Sequence, residues 1–335
     1  MTTEEYFAFL HERFSAAGRA DQEMHLSICG YRVRILFAGT GPTEIMKLNL
    51  SNLIQDSSVY DETVFVWGDD LERLSSMSML DEEQRRIHYH CEPDFHIFYP
   101  GARKRLSVRD NRHRETFVCF PAGEGFPRAY ANKPFVNEMQ WWLQDRYLIM
   151  HAAAVGIGGS GALITAPSGQ GKSTLALACL LKGMEYLAED YVLINREGPL
   201  KGYPIFATGN MTIDSLRLIP EMEKNILYFD DERRKYLVDL TGHTDQFREG
   251  MLLKCIIYPH LTHDAVPSIG RSTSVHPFVS AVTAAAKQIK SQKQTSDSFR
   301  LLFRRLKDLP AYEMRLTPDV RRNAEHLKQF LTEKE

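Results

Sequence analysis

Cysteine is scarce and unpatterned in this 335-residue chain: Cys29, Cys91, Cys119, Cys179 and Cys255 are scattered, and no two form a CxxC pair. An odd, dispersed set does not support a secreted disulfide framework, so a reducing, cytoplasmic setting is expected. Long apolar runs are missing too; none approaches the roughly 18 residues of a membrane-spanning helix. The first residues, Met1-Thr2-Thr3-Glu4-Glu5, are polar and acidic, unlike a signal peptide. No sign of charge dominates: 41 Lys and Arg stand against 43 Asp and Glu, a net charge of −2. That excludes a generally basic nucleic-acid coat and an acidic disordered tail. Internal repeats and low-complexity segments are absent. What remains is the composition of an ordinary soluble globular protein, about twice the usual domain length, so two domains are expected.

The pattern along the chain predicts a division near residue 145. Tyr6, Phe9, Leu10 and Phe14 mark one face of an amphipathic helix over 3–18. Short stretches rich in β-branched and aromatic residues follow, at Tyr31–Phe37, Thr63–Trp67, Arg86–Tyr89, His96–Tyr99, Arg105–Arg109 and Glu115–Phe120. The last two read as a hairpin around Asp110-Asn111. The first section, 1–145, is therefore expected to be a mainly antiparallel β domain, with substrate recognition as its candidate role. After a helix at Phe135–Leu143 the rhythm changes. Strands are predicted at Leu148–Gly156, Gly161–Thr165 and Tyr186–Ile194, with a helix at Ser173–Lys182 between the last two. Strand, glycine loop, helix, strand is an α/β signature. Further strands are expected at Tyr236–Leu240 and Leu252–Tyr258, and helices at Val279–Gln292, Ser298–Lys307 and Pro318–Lys334.

The central feature is Ala166-Pro-Ser168-Gly169-Gln170-Gly171-Lys172-Ser173-Thr174, a P-loop pattern between an apolar strand and a good helix. Gly169 and Gly171 let the backbone curl so that N–H groups of the loop, from Ser168 through Thr174, converge on phosphate oxygens. The following helix adds its unpaired N–H groups and dipole. Lys172 can reach β- and γ-phosphates, and the Ser173 hydroxyl can join a Mg²⁺ shell. Ala166 replaces the first glycine of the pattern, which a negative φ would tolerate. The bland alternative is a glycine-rich turn that merely precedes a helix.

Adjacent carboxylates, Glu189 and Asp190, interrupt the apolar run Tyr186–Ile194. Charge inside a strand is costly unless it meets a metal or a partner. On one continuous strand the two would face opposite sides and take separate roles; solvated acids at a strand end are the alternative. His151 lies beside another apolar run and by itself reads equally as a hydrogen-bonded edge histidine.

From His151 to Ile194 the chain resembles the HPr kinase family, through His151, the loop Ala166–Ser173 and Ala188-Glu189-Asp190. The intervals from His151 to Lys172 and from Ser173 to Glu189 match that family without a gap. Trp141–Gly156 and Lys235-Tyr-Leu-Val-Asp239 look like HPr-kinase-related proteins, some of which serve ribosomal (lasso) peptide biosynthesis by phosphorylating a serine of a precursor peptide. The resemblance implies a phosphoenolpyruvate-carboxykinase-like P-loop domain over 146–335, ATP and Mg²⁺ as cofactors, and a catalytic set of Lys172, His151, Glu189 and Asp190. One acid would be the base and the other a metal ligand with Ser173. Glu189 stands where the family has Asp, so the assignment of base is open. No counterpart of the C-terminal signature of the bifunctional kinase/phosphorylase is present, so neither a phosphorylase reaction nor HPr as substrate follows.

A kinase also needs cations near the transferred group. Arg217 and the Arg233-Arg234-Lys235 stretch are candidates, with Arg217 and Lys235 placed at the nucleotide; solvated turns are the alternative. His88-x-His90 with Cys91 and His96 lacks a spaced partner motif for zinc. Arg103, Lys104, Arg105, Arg109, Arg112 and Arg114 crowd the hairpin. They read either as an exposed face that blunts an edge or as a docking surface for an acidic peptide. No motif for RNA or DNA accompanies them, which disfavours nucleic acid. Lys287, Lys290, Lys293, Arg300, Arg304 and Arg305 make the later helical region basic, as an acceptor groove or a solvated surface.

The expected function is transfer of the γ-phosphate of ATP to a hydroxyl, foremost a serine of a peptide or small protein. A kinase for a small molecule such as free serine, and a nucleotide-gated binding module without chemistry, are the alternatives. No membrane partner is expected, and a homo-oligomer is left open.

Overall fold

A computed structural model describes residues 1–18, 20–39, 41–78, 89–99, 105–123, 126, 128–231, 233–274, 276–286 and 300–334. Parts of the expected strand Arg86–Tyr89, with His88, Arg103 and Lys104, and of the expected helices over 287–299, with Lys287, Lys290 and Lys293, lie outside the described residues. The chain divides into two compact units, Met1–Trp142 and Leu143–Glu335. No helix among the described residues is long and apolar enough to cross a membrane.

The first unit opens with the helix Thr3–Ala16, started by a capping box in which Thr2 and Glu5 satisfy each other's backbone N–H groups. Seven strands follow: β1 (Ala20–Ile28), β2 (Tyr31–Ala38), β3 (Glu62–Asp69), β4 (Tyr89–Cys91), β5 (Phe95–Phe98), β6 (Leu106–Asp110) and β7 (Glu115–Pro121). They form one sheet in the order β1-β2-β3-β7-β6-β5-β4. The outer pairings are antiparallel, including the expected β6–β7 hairpin. The centre departs from the antiparallel expectation: β2–β3 and β3–β7 are parallel. Parallel neighbours need long crossovers. The chain supplies them in the stretch holding the helix Glu44–Asn49 and in the excursion that builds β4 to β6. Phe7, Leu10 and Phe14 of the first helix close a core with Phe65, Trp67 and Phe117.

Two arginines of the basic hairpin, Arg105 and Arg109, are buried, while Arg112 and Arg114 are exposed. Arg109 is buried and donates from Nε and Nη2 to both oxygens of the buried Glu62, at 3.0 and 2.8 Å, and from Nη1 to the Trp141 carbonyl at 3.0 Å. Tyr31 and Thr116 hydroxyls complete the Glu62 shell. Arg105, also buried, lies 3.3 Å from Glu138 and over the rings of Phe98 and Tyr130. Arg112 is exposed and pairs with Asp94 and Glu4. Each buried guanidinium answers a carboxylate distant in sequence, which a count of local charge cannot register.

His96, read as part of a strand histidine cluster, is buried and stacks on Trp141 with ring centroids 5.5 Å apart. Neither ring nitrogen has a hydrogen-bond partner. Burial, helped by the Arg109 charge, pushes its pKa down from 6.5 to about 3. Unfolded chains therefore take up this proton below pH 6.5 while the folded chain does not until about pH 3. Stability contributed above pH 6.5 should be lost as pH falls through that window, at about 1.4 kcal/mol per pH unit. His96→Phe keeps the stacking and should remove this slope. Urea midpoints of the two proteins across the window test it; parallel curves would refute the assignment.

The second unit continues with β8 (Tyr147–Met150), β9 (Ala153–Ile157), β10 (Ser160–Ile164), β11 (Glu185–Ala188), β12 (Val192–Asn195), β13 (Lys201–Pro204), β14 (Thr208–Met211), β15 (Ile226–Asp230), β16 (Lys235–Asp239), β17 (Met251–Leu261), β18 (Ser268–Arg271) and β19 (Ala311–Leu316). Its main sheet runs β11-β9-β10-β17-β13-β12-β8, with β19 on the second half of β17 and β18 beside β19. A small sheet, β14-β16-β15, stands apart. Residues alternate between two cores on opposite faces of the main sheet. Ala153, Val155, Ala162 and Ile164 meet the helices Lys172–Leu181 and Val320–Thr332 on one face. Ala154 and Leu163 meet His276–Ala286 and the helix over 300–306 on the other.

Two expected strands are broken. Leu148–Gly156 divides into β8 and β9 at His151-Ala152, and Tyr186–Ile194 divides into β11 and β12 at Glu189-Asp190-Tyr191. The two segments run antiparallel and break at the same level, since Met150 pairs with Val192 and Ala154 with Ala188. The breaks release the charged groups from the ladder, so a two-faced strand no longer describes the acidic pair.

Candidate active site

The glycine loop joins β10 to the helix Lys172–Leu181. Thr165, just past β10, donates its N–H to the Ile257 carbonyl at 3.0 Å, which ties the loop's entry to β17. Gly169 and Gly171 have φ of 86° and 84°, a region where a side chain would be strained. Ala166 does not share it, so its methyl is accommodated where the pattern has its first glycine. Gly171 caps the helix without any side-chain acceptor, leaving the N–H groups of the first turn unclaimed by side chains. Ser168 and Gly169 are exposed, and Gln170 is half-buried. This geometry is suited to an anion.

Lys172 is buried. Its Nζ donates to the backbone carbonyl of Glu189 at 2.6 Å, which brings the loop lysine to the acidic pair. The Ser173 hydroxyl has no hydrogen-bond partner among the described residues. The Thr174 hydroxyl bonds Ser215 Oγ at 2.7 Å, and Ser215 also meets Thr212 Oγ1 at 2.9 Å. Thr174 thus fastens the helix Ile213–Leu218 to the loop helix.

The two acids have different surroundings. Glu189 is buried, and its Oε1 accepts from the backbone N–H of Asn210 at 2.9 Å and from Asn210 Nδ2 at 3.3 Å. Its Oε2 is buried with no partner, as is the hydroxyl of Tyr186. Asp190 is more open, and its Oδ1 lies 2.8 Å from His151 Nδ1, an ion-pair distance without hydrogen-bond alignment. Tyr191 packs edge-on against the His151 ring at 5.3 Å. Burial pushes the Tyr186 hydroxyl well above its usual pKa, and the carboxylates of Glu189 and Asp190 add to the shift.

The loop, Glu189, Asp190 and His151 thus come together. Arg217 is exposed and pairs with Asp214 of its own helix at 3.1 Å. Lys235 begins β16 opposite Asp230. Neither makes a hydrogen bond or ion pair to the loop or to the acids. Asn210 carries no local signal in sequence; it holds Glu189 because β14 passes beside the break, a matter of topology. No group of three or more His, Cys, Asp or Glu side chains among the described residues could hold a metal by itself. Mg²⁺ asks for less from protein, one or two carboxylates with substrate phosphates and water. The unpartnered Glu189 Oε2 and Ser173 hydroxyl fit that requirement.

Fold and site define a mixed α/β protein with a glycine loop set against paired carboxylates. Neither a protein-family model nor a curated protein sequence matches the chain. Among solved structures, the HPr(Ser) kinase/phosphatase from Coxiella burnetii aligns with 56% of this chain and 99% of its own, at 13% identity and a TM-score of 0.30. A likeness of that degree carries no argument about chemistry, which rests on the residues themselves.

Proposed function

We propose that the protein is an ATP- and Mg²⁺-dependent kinase that transfers the γ-phosphate to a hydroxyl, foremost a serine of a peptide such as a ribosomal precursor. One observation carries the reading: the loop lysine touches the backbone of the acidic pair, so an anion cradle adjoins two carboxylates and an imidazole. The loop N–H groups and Lys172 hold the phosphates. Glu189 and the Ser173 hydroxyl are the protein's ligands for Mg²⁺, and Asn210 orients Glu189 by occupying its other oxygen. Mg²⁺, when bound, neutralises charge on the β- and γ-phosphates. Asp190, more open and beside His151, accepts or orients the proton of the attacking hydroxyl. The rate gain comes mainly from positioning and charge neutralisation.

The test is transfer from γ-labelled ATP with Mg²⁺, offered serine-containing peptides and free serine in parallel, with products resolved by mass spectrometry. Label on a peptide serine is the expected result. Label on free serine would replace the peptide acceptor by a metabolite. Nucleotide binding without any labelled product would overturn the kinase reading in favour of a nucleotide-gated binding module.

A further inference from the structure

Among the described residues β18 pairs with β19 and with no other strand. One hydrogen bond fixes which of its backbone groups that pairing uses. The Ser272 N–H, one residue past β18, donates to the Ala311 carbonyl at 2.9 Å. In the same register Gly270 stands opposite Glu313 and Ser268 opposite Arg315. Alternate residues of an antiparallel strand turn their N–H and C=O groups to opposite sides. Ser268, Gly270 and Ser272 therefore direct theirs to β19, and Ile269 and Arg271 direct theirs outward. Neither of these two residues makes a further backbone hydrogen bond among the described residues. An edge that presents unpaired donors and acceptors in a row is a template for one more strand.

The surroundings leave room for that strand. A Cβ added to Gly270 would meet nothing within 4 Å. Glu313 and Arg315, the cross-strand neighbours of Gly270 and Ser268, share one face with His260 of β17. Together they line an open groove of about 470 Å³ that reaches Ser268, Gly270 and Arg271 at the edge. Met314 and Leu316, which alternate with these residues, pack in the core of the glycine-loop helix, so the groove lies on the opposite face of the sheet. The groove holds polar capacity: His260 Nε2 is without a hydrogen-bond partner, and the Glu313 oxygen facing it is 3.8 Å away. Every second side chain of an added strand would fall on this face, beside Gly270.

Charge selects the occupant. Arg315 is paired with Asp264 at 2.7 Å. Arg271 is exposed and makes no ion pair or hydrogen bond among the described residues. A second copy of β18 that used both Ile269 and Arg271 would set the two Arg271 side chains on one diagonal, where like charges repel. A strand with a carboxylate at that place would instead accept two bonds from the guanidinium. We infer that the free edge of β18 docks an extended, acidic peptide segment of a partner protein by strand addition. The inference rests on the sheet geometry and not on the kinase reading.

The probes are two fluorescein-labelled heptapeptides of alternating threonine and valine, with aspartate or lysine at the centre. Their binding to the full chain is followed by fluorescence anisotropy without nucleotide, so the result does not depend on phosphoryl transfer. The aspartate peptide should bind about 10-fold more tightly than the lysine peptide. Arg271→Ala should reduce that preference to about 2-fold. Arg271→Pro also removes an outward N–H, a change that edge strands tolerate, and should weaken both peptides about 5-fold beyond Arg271→Ala. Thermal denaturation checks that both variants are folded, and Arg271→Ala tests the charge even if Arg271→Pro is not. An unaltered chain that binds neither peptide would overturn the inference. So would an unchanged preference in Arg271→Ala, or a folded Arg271→Pro that binds like Arg271→Ala. Self-association of the unaltered chain in sedimentation, lost in Arg271→Pro, would make a second copy the occupant and likewise overturn it.

Discussion

Lys172→Ala is expected to lower phosphoryl transfer about 10³-fold while the chain stays folded. Among the described residues, Lys172 is the one buried cation that the structure brings to both the loop and the acidic pair. Arg217, the other candidate cation, is turned to Asp214 and makes no bond to the loop or the acids among the described residues. The structural cost is smaller. Removing Nζ leaves the Glu189 carbonyl without this donor, worth about 1–3 kcal/mol. Lys172→Met retains the packing of the stem and separates charge from packing. Single-turnover transfer and thermal denaturation, measured on both variants, check this. Retained transfer in both would remove Lys172 from the mechanism.

Arg109→Met should destabilise the first unit by about 3–5 kcal/mol, a large share of a domain's usual stability. The substitution removes the guanidinium bonds to Glu62 and to the Trp141 carbonyl and leaves the buried Glu62 carboxylate, among the described residues, with the Tyr31 and Thr116 hydroxyls as donors. Combining it with Glu62→Gln should recover part of the loss, because the uncompensated charge is then gone. The chain's three tryptophans, Trp67, Trp141 and Trp142, all lie in this unit, so their fluorescence reports its unfolding in the intact protein. A urea midpoint unmoved by Arg109→Met would mean that the pair is solvated and that the hairpin is an exposed basic face after all.

The legible parts of the fold are those with local causes. The capped first helix follows from apolar spacing and a Thr2/Glu5 box, and the loop from glycines between an apolar strand and a helix former. Strand β1, by contrast, mixes Asp21, Gln22, Glu23 and His25 with Met24, Leu26 and Ile28, and carries too weak an alternation to be read. Its membership of the sheet comes from pairing with β2, a partner that one stretch of sequence does not name. The same holds for Arg109, whose burial depends on Glu62 in another strand.

At the candidate site the sequence by itself determined the chemical types present: a curled glycine loop with its lysine, two adjacent carboxylates and a histidine, each set by residue identity and local backbone demands. Only the tertiary structure decided how they differ. It broke both strands at one level, left one Glu189 oxygen to Asn210 and the other unclaimed, and set Asp190 against His151. The reason is physical. A side chain's identity fixes which bonds it can make, but burial and partners separated by tens of residues fix which ones it does make.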